Sequence, residues 1–452
     1  MKIAVIGAGV TGLTAAWRLA QAGHEVRVLE GAPQPGGFIR TEASGGFLFE
    51  AGPNSFLESA QSAGFLREAG LWEERIESSP SALNRYVVLR GRLVPFPKPS
   101  DLKALVSTPL FSFGAKLRIT AEVSRKPVER ASDVSVADLV RDHFGPEVLT
   151  RVVQPFVGGI YAGDPEKLSA RLAFPKIWEA ERSTGSLVRA GMSGAKERRE
   201  SGLPTANPVV SFRSGLRALP SALASRLRPG SLVCGAQVRS LVPGLGGKWR
   251  VRWEGAAPGS DEFGAVVASV PAWALAKLEI GASGEAPLAS LAGVEHPPIA
   301  SVMLGFRRDQ VAHPLDGFGA LVPATENRSI LGIIFSSSLF PGRAPEGHVA
   351  VTAIVGGALQ PELARAPERD LLARTLGDVS DLLGASGEPV FRRHSCWAQS
   401  IPQYNLGYER FLGAISETEA AHPRLFVGGI ARDGISLPEA IASGERLAKR
   451  VS

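Results

Sequence analysis

Lys2-Ile3-Ala4-Val5-Ile6-Gly7-Ala8-Gly9-Val10-Thr11-Gly12 and the stretch that continues to Glu30 decide the fold. Ile3 to Ile6 is a short unbroken apolar run, the pattern of a strand buried on both faces. Three glycines follow at once. Thr11 to Ala22 is then small and apolar with a helical period, and Glu25-Val26-Arg27-Val28-Leu29-Glu30 reads as a second strand. Strand, turn, helix and strand within about 30 residues form a βαβ unit, which implies a parallel pair. Gly7 makes the tight turn, Gly9 lets backbone approach a pyrophosphate, and Gly12 lets the helix pack against the strand. The helix start, Ala8 to Gly12, offers free N–H groups and a positive dipole end to phosphate. Glu30 ends the second strand, followed by Gly31. A carboxylate there accepts from a ribose diol and repels a 2′-phosphate, so NADP is disfavoured and another dinucleotide is implied.

The rest of the composition sets bounds. The chain has 452 residues, 44% hydrophobic and 21% charged, which suits two or three packed domains of ordinary globular make-up. Cys234 and Cys396 form no CxxC pair, and the 7 histidines form no HExxH spacing, so neither a disulfide framework nor a metal site is signalled. A reduced, cytoplasmic compartment fits. No secretory leader is expected ahead of a fold that starts at Lys2, and no apolar run reaches the roughly 18 residues of a membrane span. The formal charge of +6 and pI near 9.5 admit nucleic acid, an anionic membrane surface or an acidic small substrate as partner. Basic residues are spread along the whole chain without a stacking or recognition-helix motif, so nucleic acid is not expected.

Along the chain, Pro95 to about Pro208 is helix-compatible and basic. Ser231 to Leu241, Lys248 to Glu254 and Ala265 to Val270 read as strands, with Gly255 to Ser260 a hairpin loop. Further strands are expected at Ile299 to Phe306, Phe318 to Val322, Ser329 to Ser336 and Val349 to Val355, then a strand, a glycine turn and a closing helix from Leu425. The fold class is therefore α/β: a Rossmann-like dinucleotide domain (1–80, 205–280 and 415–452), a mixed-sheet substrate domain (81–94 and 281–414) and an inserted helical domain (95–204). Ser436 is placed to cap the closing helix and Pro438 suits its first turn.

Gly36-Gly37 comes six residues after Glu30 and is followed by Phe38 and Arg40-Thr41. Glu-x5-Gly-Gly after the first glycine motif resembles the second FAD fingerprint of the amine oxidase, phytoene desaturase and protoporphyrinogen oxidase superfamily, although Gln34-Pro35 stands where a basic residue is usual. Gly52-Pro53-Asn54-Ser55-Phe56, Asn84-Arg85-Tyr86, Pro155 to Pro165, Phe335-Ser336-Ser337 followed by Phe340-Pro341 and Arg343-Ala344-Pro345, and Ile401-Pro402-Gln403-Tyr404 after Trp397 resemble the protoporphyrinogen oxidase family in particular. They span nearly the whole chain in the family's order. Tyr408 and Ala440 depart from the family's common His and Cys.

That resemblance implies FAD, held by the residues of the first motif with Gly36, Gly37, Phe38, Gly52, Pro53, Asn54, Ser55, Val238, Trp397, Ile435, Ser436 and Leu437. It implies flavin-mediated oxidation of a porphyrinogen with dioxygen as acceptor and no catalytic side-chain set or metal. Arg85 would hold a propionate, the Gly163 backbone would face the pyrrole N–H groups, and Leu321 and Phe335 would wall the slot. It also implies a homodimer. Oxidation of coproporphyrinogen III, an amine oxidase or carotenoid desaturase on the same scaffold, and a flavoprotein without turnover are the other readings. Leu102 to Ile119, with Lys103, Lys116 and Arg118 among apolar residues, suits either a lipid surface or an ordinary solvated helix.

Overall fold

The computed structural model describes residues 1–82, 84–97, 102–200, 207–256 and 258–452. A first sheet grows from the βαβ unit. Lys2–Ile6 pairs in parallel with Glu25–Glu30 on one side and with Ala265–Ala268 on the other. Leu232–Cys234 and Leu425–Val427 complete the edges, again in parallel. Counted along the chain, the five strands lie in the order 3-2-1-4-5. In such doubly wound sheets ligands bind beyond the carboxyl ends of the central strands. Ile3, Val5, Val28 and Val267 face a core shared with the helices Val10–Gln21 and Leu437–Val451, while Ala4, Ile6, Leu29 and Val266 face a second core. Burial on both faces is why Ile3 to Ile6 and Ala265–Ala268 read as unbroken apolar runs.

The closing helix begins at Leu437, directly after Ser436. Ser436 caps it through a reciprocal pair: its Oγ accepts from Glu439 N at 3.3 Å, and its own N–H donates to Glu439 Oε2 at 2.9 Å. Such a cap is worth about 1 kcal/mol. The Ser231 to Leu241 segment is divided by the structure. Leu232–Cys234 joins the first sheet, Gly235 turns at φ 69°, and Ala236–Pro243 enters an antiparallel meander with Trp249–Gly255 and Gly259–Phe263. Glycine adopts that left-handed conformation without steric cost, and simple alternation carries no sign of a change of sheet. Residue 257 of the hairpin loop lies outside the described residues.

A second sheet has seven strands in the order Phe391–Trp397, Ile299–Arg307, His348–Gly356, Ile330–Ile334, Gly317–Leu321, Asn84–Leu89 and Arg92–Pro95. One face is closed by the helix Glu368–Leu383, whose Leu371, Val379, Leu382 and Leu383 pack on Val302, Leu304, Val351, Ala353 and Ile333. The expected strand through Ser336 ends at Ile334, and Ser336–Leu339 is a short helix.

Residues 102–200 fold as a succession of helices; 98–101 and 201–206 of the expected helical segment lie outside the described residues. A buried charge cluster ties these helices together. His143, on Val136–Phe144, places Nδ1 2.8 Å from Glu122 and Nε2 2.9 Å from Glu181. Both ring nitrogens thus lie within hydrogen-bonding distance of carboxylate oxygens. Arg130 adds a bidentate pair to Glu181, 2.7 Å on each arm. Glu122 also accepts from Ser186 Oγ at 2.7 Å and from the N–H groups of Leu187 and Val188, capping the last long helix. Burial raises both carboxyls. The hydrogen bonds of Ser186 and His143 on Glu122, and of Arg130 and His143 on Glu181, outweigh it and hold each below the usual range.

Candidate cofactor and substrate site

The dinucleotide cradle is assembled from stretches far apart along the chain. Gly9 caps the helix Val10–Gln21 without any side-chain bond, and a methyl group built on it would meet nothing within 4 Å. The first N–H groups of that helix have no partner within the helix, and there is room beside Gly9. A methyl group on Gly12 would instead overlap the Gly7 carbonyl oxygen, so only glycine lets helix and strand approach there. Val10 and Thr11 are buried and Gly9 is not. The second glycine turn docks beside the first: Gly36 N–H donates to Ala8 O at 2.9 Å, and a methyl on Gly37 would lie 3.3 Å from Gly9 Cα. Glu30 is aimed by two backbone donors, Ala8 N at 2.6 Å and Ala32 N at 2.8 Å. Each carboxylate oxygen keeps a lone pair for a ribose. Gly31 lies against Gln237, next to Val238 at the start of the meander.

Phe38, Gly52 and Trp397 form the next wall. The Trp397 indole donates to Ala51 O at 2.7 Å and meets Phe38 edge-on at 5.2 Å. A methyl on Gly52 would overlap the Phe38 carbonyl oxygen, and Asn54 donates to Gly52 O at 3.3 Å. Pro53 is exposed and Ser55 half-buried on the same loop. From the far end of the chain, Gly429 N–H donates to Asp433 Oδ2 at 2.9 Å and Ser443 Oγ at 3.0 Å, which sets the turn near Thr11. Asp433 and Ser443 have no signal in the sequence, because they act on a turn rather than on a ligand. Ile435, Ser436 and Leu437 follow at the helix start. Free helix N–H groups, space over Gly9 and an oriented Glu30 carboxylate are the donor and acceptor set that a dinucleotide such as FAD requires.

The same region is braced by tyrosines. Tyr404 donates to Ile430 O at 2.6 Å and accepts from Gly434 N at 3.0 Å; Tyr408 donates to Ala431 O at 2.8 Å. Burial pushes both hydroxyls well up, so they remain neutral donors. Tyr408, a departure from the family's usual residue, thus anchors the cofactor turn.

The face of the seven-stranded sheet away from the helix Glu368–Leu383 carries the candidate substrate floor. Partners opposite one another share a face. Ser301, Ile354, Gly332 and Leu321 lie in one row; Met303, Thr352, Ile334, Gly319 and Arg85 lie in the next. Trp397, opposite Ile299, joins this face to the cofactor wall. Gly332 and Gly319 leave the floor flat between the half-buried Ile354, Ile334 and Leu321. The helix Gln154–Tyr161 approaches from above, where a methyl on Gly159 would lie 3.2 Å from Leu321 Cδ2. Arg85 is exposed, with its guanidinium 5.7 Å from the Phe318 ring centre and no carboxylate partner among the described residues. Gly163 is buried, and any side chain on it would overlap Gln403 Oε1; the Gln403 amide is held by Tyr161 O at 2.8 Å and Ile401 O at 3.0 Å.

One expected wall residue is corrected. Phe335 is fully buried on the opposite side of the sheet, against Tyr86 and His313, 6.2 and 5.4 Å away between ring centres. Its neighbour Ile334 faces the floor instead. Ile334 and Ile354 were not singled out in the sequence; strand parity, once the partners are known, selects them.

Residues 10–452 match the family of flavin containing amine oxidoreductases. The mitochondrial protoporphyrinogen oxidase of Nicotiana tabacum is 32% identical, across 98% of this chain and 93% of its own length. The coproporphyrinogen III oxidase of Bacillus subtilis is 28% identical, across 98% and 96%. An Exiguobacterium protein provisionally called a protoporphyrinogen oxidase has the same fold, with a TM-score of 0.83 at 22% identity over 100% of this chain and 98% of that one. The chain belongs to the flavin-containing amine oxidoreductase family, is an oxidoreductase that carries FAD, and groups within that family with the protoporphyrinogen oxidases.

Proposed function

We propose that the chain oxidises protoporphyrinogen IX to protoporphyrin IX. The observation that carries this reading is the flat apolar floor of Leu321, Gly332, Ile334 and Ile354, which has the Arg85 guanidinium at one side and the cofactor wall of Trp397 at the other. A porphyrinogen is a broad apolar disc with propionates on one edge, and an Arg fork holds a carboxylate in a fixed orientation. FAD, when bound, supplies the two-electron acceptor, so three rounds remove the six electrons and six hydrogens that separate the two macrocycles. Dioxygen is the terminal oxidant, three molecules yielding three of hydrogen peroxide. Arg85 orients the disc, Leu321, Ile334 and Ile354 exclude water from its face, and the Gly163 backbone faces its pyrrole N–H groups. Porphyrin fluorescence followed in air, with protoporphyrinogen IX and coproporphyrinogen III in parallel and a no-enzyme control, tests this directly. Faster enzyme-dependent turnover of the first is the expected result; no signal above autoxidation from flavin-loaded protein would sink it.

Coproporphyrinogen III is the second reading, supported by the Bacillus subtilis relative. Its four propionates call for further cations beyond Arg85. For the molecule as a whole, the proposed division keeps the three domains set out from the sequence, with a cytoplasmic location and a homodimer. The helical region is proposed to rest on an anionic membrane surface. Val106, Phe113 and Leu117 are 70%, 82% and 61% exposed beside Lys103, Lys116 and Arg118. Among the described residues no helix is long and apolar enough to cross a membrane.

A further inference from the structure

Beneath the Gly52–Ser55 loop lie two charged side chains that the reaction described above does not use. Glu50 and Arg343 are each only 2% exposed. Glu50 Oε2 accepts from Thr41 Oγ1 at 2.6 Å and Oε1 from Leu216 N at 2.8 Å. Arg343 is spread over Ser211 Oγ at 2.8 Å, Phe212 O at 3.0 Å and Arg213 O at 3.3 Å. The two do not form an ion pair. They border one cavity of about 10 Å³, room for about one water, together with Asn54, Ser336, Met303 and Ile334. Asn54 belongs to the cofactor loop and Ile334 to the substrate floor. Glu50 is also the residue before Ala51, whose carbonyl holds Trp397.

An unpaired buried carboxylate beside a buried guanidinium is costly, and sites that keep such groups are functional candidates. Burial pushes the Glu50 carboxyl up to about 7, against the opposing pull of Thr41, Leu216 and Arg343. Burial also lowers Arg343, with Glu50 acting the other way. The other cations on the surrounding elements point elsewhere: Arg217 to Gln34, Arg213 to the Glu73 carbonyl, and Arg40 over the Trp397 ring.

We propose that Glu50 and Arg343 form a proton-linked charge pair under the cofactor loop, so that holding FAD and protonating Glu50 favour each other. With Glu50 ionised, the pair is neutral overall. Once the carboxylate takes a proton, the Arg343 charge stands uncompensated beside the loop. FAD is anionic through its pyrophosphate, and an added positive charge strengthens its retention. Linkage makes the effect reciprocal. One unit charge acting across about 12 Å at an effective dielectric near 20 corresponds to roughly a tenfold change. Glu50 is on this account a positioning residue that acts on the cofactor through charge. The proposal rests on Gly52–Ser55 being the cofactor loop.

The test dilutes the holoenzyme at a series of pH values between about 5.5 and about 8.5 and reads released FAD by its fluorescence. Wild type should retain FAD roughly tenfold more tightly on the acid side, with the change centred near neutrality. Glu50→Gln, a neutral surrogate that still offers an acceptor to Leu216 N, should be tight and flat across the range. Thr41→Val removes a donor to the carboxylate and should move the midpoint upward, which keeps the test decisive if Glu50→Gln does not fold. Retention independent of pH in the wild type, an unmoved midpoint in Thr41→Val, or an unchanged pH response in Glu50→Gln overturns the proposal. A purified protein without FAD overturns it together with the cofactor-loop assignment, and so separates the two failures.

Discussion

Arg85 and Phe335 show how differently two neighbouring side chains can matter. Arg85 is exposed, lies over Phe318 and has no carboxylate partner among the described residues. Arg85→Ala should raise KM for the porphyrinogen roughly tenfold or more, the loss of a charge-assisted pair, with little change in melting temperature. Arg85→Lys should recover only part of it, because the planar fork is lost. Unchanged steady-state constants in Arg85→Ala would remove that residue from the site. Phe335 behaves in the opposite way. It is fully buried against Tyr86 and His313, so Phe335→Ala should cost about 3–5 kcal/mol of stability. KM at a temperature where the variant is folded should stay near wild type. Ile354→Ala, on the floor, should shift KM with a smaller loss of stability. The two melting curves and the two KM values together decide which face of the sheet meets the substrate.

At the scale of elements, the Glu122–His143–Glu181–Arg130 cluster links the helices of 102–200 to one another. Glu122 is the last residue of Phe113–Glu122, yet its carboxylate caps Leu187–Glu200. Both carboxyls are held below their usual range. A carboxyl with a lowered folded value contributes stability above its unfolded value and loses it as the pH falls through the folded one. Acidification below about pH 4.5 should therefore release these helices, seen as loss of amide-exchange protection at 113–200 before the first sheet opens. Glu181→Gln leaves the Arg130 guanidinium without its bidentate counter-charge, and should cost about 3–5 kcal/mol. A melting temperature within a degree or so of wild type would show that the cluster contributes nothing.

For the whole molecule, the five-stranded sheet carries the proposed cofactor cradle and the seven-stranded sheet the proposed floor, and Trp397, at the end of the latter, bonds to Ala51 just ahead of the proposed cofactor loop. Neither sheet holds a complete site. The helical region presents Phe113 and Leu117 to solvent beside basic residues. Anionic liposomes should co-sediment the protein at low salt and release a measurable share of it at high salt, since basic residues near such a surface are screened within a Debye length. Pelleting with neither buffer would leave those residues as an ordinary exposed surface.

The first βαβ unit, its glycines, Glu30 and the Ser436 cap were all readable from the linear chain. Each depends on residues within a few turns of one another, where strand period, helix period and capping chemistry act locally. The resemblance along the chain carried the cofactor loop at Gly52–Ser55 and the candidate Arg85. The division of Ser231 to Leu241 at Gly235, the side of the sheet that Phe335 faces, and the Asp433 and Ser443 grip on Gly429 needed the tertiary structure. So did the meeting of Glu50 with Arg343, nearly three hundred positions apart. Side-chain alternation marks two faces but does not say which one a partner will cover, and only packing against a distant helix or loop breaks that symmetry.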